Sequence, residues 1–274
     1  MQGGAGLENI MPAFYAHHRF GETVIQALSN PQRDVAVSFR AQFDIGLQGP
    51  DLFFFYRPYI FGGRVAKYGH HLHEISAMPF FEHGLQIVER AGFDSMEYAY
   101  LLGFICHFAL DSRCHGYINE MVMETGVSHL EIEEEFEKYL LRTEGKNPLS
   151  FPIADLVPQD MATAEAAAAF YENITPAAAK QALFDLRAVK KLLTAPGRLK
   201  QGAVNTALRL TFHYRQLKGL MNQRKDNPRC IKTNGGIYAL FEEAEPFALE
   251  LIDSFNESLR TGKALSQAFD KNFL

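Results

Sequence analysis

The chain has 274 residues, 47% of them hydrophobic and 22% charged, with 23 Phe, 11 Tyr and no Trp. That is the composition of a soluble globular protein long enough to bury a substantial core. A net charge of −5 argues against a broad electrostatic nucleic-acid surface, although one phosphate held at a local metal centre would escape that argument.

Helical patterning runs nearly throughout. An amphipathic stretch from Phe14 to about Leu28 stops at Asn30-Pro31, and a second, Gln32 to Leu47, stops at Gly49-Pro50. Residues 51–69, broken by Pro58 and Gly62-Gly63, read as short helix and loop. A helix follows over Glu74 to Gly92, and Asp94 caps a long one that ends near Glu124. Ser128-His129-Leu130-Glu131 has the form of a capping box, which gives Glu131 a structural task and leaves Glu133 facing the same way as His129. After a Pro- and Gly-broken connection come helices near Thr163–Tyr171, Pro176–Leu193 (Thr175 as cap) and Leu199–Asn222. A last long helix runs from about Tyr238 to Leu259, and a short one ends the chain. No strand pattern or repeat is visible, so the expected fold is all-α. We read one α-helical domain over 1–274: a ligand-bearing half at 11–142, a connecting loop at 143–160 and a helical half at 161–274.

The ligand-type residues crowd into the first half, where nine of the ten histidines fall before residue 130. On a helix, His107, Asp111 and His115 follow at steps of four; each step turns about 40°, so the three side chains share one stripe. His107 and Asp111 sit among Leu102, Phe104, Ile105 and Phe108, where unpaired polar groups are costly and a metal is the natural partner. His129 and Glu133 repeat the spacing, and His17, Asp51 and His73 lie upstream. Eight imidazole and carboxylate donors suit two or three open zinc sites rather than a closed structural one, with Asp111 placed to bridge two ions. Three zinc ions against Asp51, Asp111 and Glu133 leave the centre strongly positive, so a phosphate ester is the expected ligand and metal-assisted phosphodiester hydrolysis the expected reaction.

Other readings compete at single residues. His18 adjoins His17 and only one can point inward; His17 is preferred. His70, His71 and His83 read as surface or supporting residues beside the ligand His73. Phe53-Phe54-Phe55-Tyr56 reads equally as core or as the lining of a lipid pocket. His213 and Tyr214 read as packing, and Arg113 as a surface or ion-pair residue. Cys106 and Cys114, about 12 Å apart along a helix, are too far apart to bridge, and with Cys230 they read as reduced thiols. Met1 to Ile10 shows no secretory signal and no run of 18 apolar residues occurs. The expectation is therefore a cytoplasmic protein without a transmembrane segment, secreted only if the native start differs, for example at Met11-Pro12.

The order Phe14-Tyr15-Ala16-His17, Gly49-Pro50-Asp51, Leu72-His73-Glu74, His107-x3-Asp111, a following His, and His129-x3-Glu133 resembles the bacterial zinc-dependent phospholipases C over residues 12–135. The resemblance implies a compact helical bundle holding three zinc ions. One would take Asp51, His73, His107 and Asp111, a second His17 with a share of Asp111, and a third His115, His129 and Glu133. The residue matching Asp51 is also the family's favoured general base. The implied partner is a phospholipid or another phosphodiester, with peripheral membrane contact. This chain departs from the family in lacking the N-terminal Trp whose amino group and carbonyl serve as ligands. The gap between Asp111 and His115 is also shorter than in the secreted enzymes, and no secretory signal is visible at Met1 to Ile10. A single-strand nuclease of the same fold, or a metal-binding protein that has lost catalysis, remains the alternative.

Overall fold

The computed structural model describes residues 13–58 and 63–273, and every regular element among them is helical. The proposed start at Met11-Pro12 and the break at Gly62 lie outside the described residues. In chain order the helices are α1 (Phe14–Ala27), α2 (Asn30–Ser38), α3 (Arg40–Gly46), a 3-10 helix (Gly49–Phe55), α4 (Arg64–Glu74), α5 (Met78–Ala91), α6 (Met96–Thr125) and α7 (His129–Thr143). They continue with a 3-10 turn (Ile153–Leu156), α8 (Met161–Ala168), α9 (Pro176–Leu193), α10 (Arg198–Leu210), α11 (Tyr214–Leu217), a 3-10 turn (Lys218–Leu220), α12 (Cys230–Thr261) and a closing 3-10 turn (Gln267–Phe269). No described helix is long and apolar enough to cross a membrane.

Helix α6 is the axis of the fold. Its residues from Tyr98 to Asp111 are buried without interruption, so it is apolar all round and must be wrapped on every side. Two glycines let α3 reach it. A Cβ on Gly46 would stand 2.0 Å from the Tyr100 carbonyl oxygen, and one on Gly103 would stand 2.1 Å from that of Phe43. The two backbones therefore touch, and the end of α3 is pinned beside the middle of α6. On the opposite flank α12 packs along α6, and a Cβ on Gly236 would strike the Tyr117 hydroxyl at 2.2 Å.

Several sequence expectations shift. The stretch 32–47 is two helices, because Phe39 leaves helical geometry (φ −110°, ψ 47°). The N-cap of α6 is Ser95, whose hydroxyl accepts from the Tyr98 N–H at 3.1 Å, rather than Asp94. The capping box at α7 does not form. Ser128 is at the cap position but its side chain makes no cap bond, because the Glu131 carboxylate is taken by Lys218 at 2.6 Å and Asn227 at 2.9 Å. Gly235-Gly236 lies inside α12, which begins at Cys230, and Gly236 is the glycine that contact with α6 requires. His213 is exposed on the surface and bonds its own chain at the Thr211 carbonyl, so it contributes nothing to packing.

Candidate metal centre

Each candidate ligand is delivered by a separate backbone device. His17 sits in the first turn of α1, and this helix start is held by Glu137 of α7, whose carboxylate accepts the Tyr15 N–H. An acidic group at a helix N-terminus satisfies an open donor and complements the positive end of the helix. Glu137 is also one turn beyond Glu133, so the same contact ties His17 to the α7 ligands. Asp51 lies in the 3-10 helix directly after Gly49, whose φ of +48° and lack of Cβ let the chain pass the His107 ring; a Cβ there would stand 2.2 Å from that ring.

His73 ends α4, and its Nδ1 lies 3.0 Å from the Gly69 carbonyl. His107 is held in the same way, its Nδ1 3.2 Å from the Leu47 carbonyl at the close of α3. With Nδ1–H donating to a carbonyl, each ring presents the lone pair of Nε2, the arrangement by which metal-ligating histidines are oriented.

These atoms converge. His17 Nε2 is 3.3 Å from Asp111 Oδ1, and His107 Nε2 is 3.1 Å from Asp111 Oδ2. His73 Nε2 approaches Asp51 Oδ1 to 2.9 Å, and His129 Nε2 approaches Glu133 Oε1 to 3.1 Å. His115 bridges the two ends of the site, 3.8 Å from Asp111 and 4.0 Å from Glu133. Three sets of donors lie within 4.8 Å of one another: His17, Asp51 and His107; His73, His107 and Asp111; and His115, His129 and Glu133. The first set differs from the grouping the resemblance implied, since His17 meets Asp51 as well as Asp111. All eight residues predicted from sequence are thus brought to one place, and all but His129 are fully buried.

The residues fit a metal by a further observation. Asp51 Oδ1, His73 Nε2, His107 Nε2, Asp111 Oδ2 and Glu133 Oε2 are buried, and although Asp51 faces His73 and Asp111 faces His107, none of these atoms makes a well-aligned hydrogen bond. A buried polar atom left without a good hydrogen bond costs about 1–3 kcal/mol, and five of them gather in this one cluster. Donors around a tetrahedral ion with bonds of about 2.0 Å sit roughly 3.3 Å apart, the spacing these pairs adopt. The mixed imidazole and carboxylate set suits zinc better than calcium or magnesium, which prefer oxygen alone.

Electrostatics divide the histidines. Burial acts to lower all five, but the neighbouring carboxylates prevail at His17 (Asp111), His73 (Asp51) and His129 (Glu133), whose pKa values are raised. At His107 and His115 burial, reinforced by the charge on neighbouring histidines, holds the pKa well below the usual value, so these rings are neutral. Burial pushes the Asp111 carboxyl up to about 6 against the pull of His17.

One residue escaped the sequence reading. Lys190 is fully buried on α9, its Nζ 5.5 Å from the Phe14 ring and 5.7 Å from the Phe55 ring. It lines a small cavity with Asp51, Phe14, Gln48 and Phe55, and burial lowers its pKa against the pull of Glu137 and Asp51. The available signal was its place on the stripe Leu183, Leu186, Lys190, where the other two are core residues. Phe53 and Phe54 are core, whereas Phe55 lines the cavity beside Asp51. The other histidines stand apart: His18 faces Glu22 and Asp44, His70 stacks on Phe54 and His71 is exposed. Arg113 lies over the Phe247 ring at 4.1 Å.

Residues 16–188 match the profile of the family described as zinc dependent phospholipase C, well over half of the chain. The chain belongs to that family. Seven further candidate ligands fall with His17 inside the matched span, and α10 to α12 fall beyond it. No curated protein and no solved structure matches this phospholipase C family member.

Proposed function

We propose that the protein hydrolyses a phosphodiester bond, with a phospholipid as the substrate. The observation that carries this reading is the convergence of eight donors, seven of them buried, around Asp111 in a chain of the zinc-dependent phospholipase C family. Zinc held there supplies polarisation of the phosphoryl oxygens and a water acidic enough to react near neutral pH.

The chain's own residues do the rest. His17, Asp51, His73, His107 and Asp111 hold one end of the centre, and His115, His129 and Glu133 hold the other; two or three ions fit this donor set. Asp51 belongs to the cluster and also lines the cavity beside it, so its carboxylate is positioned to accept the proton of the attacking water. A general base of this kind contributes about 10²–10⁴ in rate. Lys190 lines the same cavity, where its ammonium offsets the charge of the Asp51 and Glu137 carboxylates. Phe14 and Phe55 keep bulk water from Asp51 and Lys190.

The test is zinc content by mass spectrometry together with turnover of a phosphocholine ester and of single-stranded DNA, each with and without chelator. The expected result is two or three zinc ions per chain and chelator-sensitive cleavage of the phosphocholine ester. Asp111→Asn should lose at least one ion and slow turnover about a thousandfold, near 4 kcal/mol of barrier. Preferential cleavage of DNA would replace lipid by nucleic acid as substrate, and full zinc loading without turnover of either would leave a binding protein.

A further inference from the structure

The negative net charge of this chain conceals a basic segment. Residues 187–229 hold eleven Lys and Arg against one acid, Asp226, while the chain as a whole is five charges negative. The segment contains α10 and α11; Ala195, Leu217 and Met221 are buried, but no residue of α10 joins the hydrophobic core.

Helix α10 is attached to the protein by amides. Gln201 donates to the Asn222 carbonyl at 3.1 Å, and Asn205 donates to the Gln223 side chain at 3.2 Å. Gln201 is the helix's one buried residue. The opposite stripe, Leu199, Ala203, Thr206 and Leu210 at steps of four, three and four, faces outward. Leu199 is 91% exposed and Leu210 74%. Arg198 and Arg209 flank this stripe on one side and Lys200 on the other, at about 100° of helical rotation.

Two residues beyond, Phe212 is 94% exposed and holds a φ of +62°. A bulky aromatic residue in the left-handed region is a conformational outlier, and here the side chain is left almost wholly to solvent. An apolar outer stripe with cations along both edges and an aromatic residue projecting at its end is the pattern of a helix that lies in a membrane interface. The cations suit anionic headgroups, to which each contributes attraction near the surface.

The position is also informative. Arg215 and Gln216, three and four residues after Phe212, line a cleft of about 810 Å³ together with Lys218, Arg229 and His129. His129 is the one partly exposed candidate ligand, so this cleft is the opening from the basic face towards the metal centre.

We propose that α10 and Phe212 form a docking face for a bilayer containing anionic phospholipid, seating the cleft against the headgroups. The choice of lipid over other polyanions rests on the proposed function, and the experiment separates the two. Binding is measured by flotation with vesicles of phosphatidylcholine alone or mixed with phosphatidylglycerol. Hydrolysis of a soluble, monomeric phosphodiester by the zinc-loaded protein is measured in parallel. The intact protein should float with the mixed vesicles in a salt-sensitive manner. Phe212→Ser should weaken this about tenfold and the triple change Leu199→Ser, Leu210→Ser, Phe212→Ser about a hundredfold or more, since each side chain removed forfeits the burial of one large apolar group. Hydrolysis of the soluble substrate should not change, because no residue substituted touches the centre.

Equal flotation of parent and variants would overturn the proposal, as would parent protein that ignores anionic vesicles but retains single-stranded nucleic acid. Flotation lost in the variants, from a parent that hydrolyses no phosphodiester, would uphold the docking face and overturn the proposed reaction. Circular dichroism of the variants guards against unfolding; because the substituted side chains lie outside the core, unchanged spectra are expected.

Discussion

His17 and His107 press their Nε2 atoms towards opposite oxygens of Asp111, and His73 and His129 do the same to Asp51 and Glu133. Without metal, such pairs are held together by protons. The raised pKa values of His17, His73 and His129, and that of Asp111 near 6, mean that the metal-free centre still carries protons close to neutrality. Zinc must displace them, so its apparent affinity falls as pH drops through those values, while His107 and His115, already neutral, add no proton cost. Zinc loading near pH 6.5 should release about two to four protons per chain. Calorimetry in two buffers of different ionisation enthalpy measures this, and a release near zero would contradict the paired-proton picture. At this scale the sequence was informative because helical steps of four mark a ligand stripe whatever the tertiary packing. Lys190 was not legible in that way, since a lysine on an apolar stripe also reads as one whose ammonium reaches water.

Helix packing determines whether the ligands can meet. The His107 ring is anchored on the Leu47 carbonyl, and that carbonyl is within reach because Gly46 and Gly103 allow α3 and α6 to touch. Gly103→Ala would drive a methyl into the Phe43 carbonyl and should cost about 3 kcal/mol, at the upper end of overpacking penalties, together with a measurable loss of zinc. Gly116→Ala on the same helix, with nothing near its Cβ, should be neutral or stabilising by up to about 1 kcal/mol. Denaturant melts of both variants, with and without zinc, decide it; equal costs would remove the close crossing as the reason for Gly103. The helical class could be read from periodicity, and the α9 boundaries with the Thr175 cap came out as expected. The capping box failed because its acid is claimed by Lys218 and Asn227, residues 87 and 96 positions away. A local pattern carries no information about such a competitor. The start of α12 was misplaced for a related reason: Gly235-Gly236 is a break by propensity, but Gly236 is a contact point once α6 lies against it.

For the whole molecule, the average charge hides its distribution. A net −5 argued against a broad nucleic-acid surface, while the basic residues of 187–229 are confined to one segment, part of which lines the cleft. The end of the described chain also returns to the centre. Phe273 packs on the rings of His73 at 5.1 Å, His107 at 5.7 Å and Phe108 at 5.2 Å, and its N–H donates to the His73 carbonyl at 3.3 Å. Phe273→Ala should destabilise the protein by about 3–5 kcal/mol and speed chelator-driven zinc loss about tenfold or more, as water reaches the two ligand rings. Unchanged release kinetics would show that the wall is dispensable.

That wall has a consequence for how the site can be inherited. All eight candidate ligands lie between His17 and Glu133, which suggests a compact cassette that could be excised or grafted elsewhere. A fragment ending at Thr143 would carry every donor, yet it would lack Phe273 over two of the rings and Lys190 beside Asp51. Recombination within this family can therefore exchange the outer helices freely only where the segments that supply those two side chains travel with the ligands.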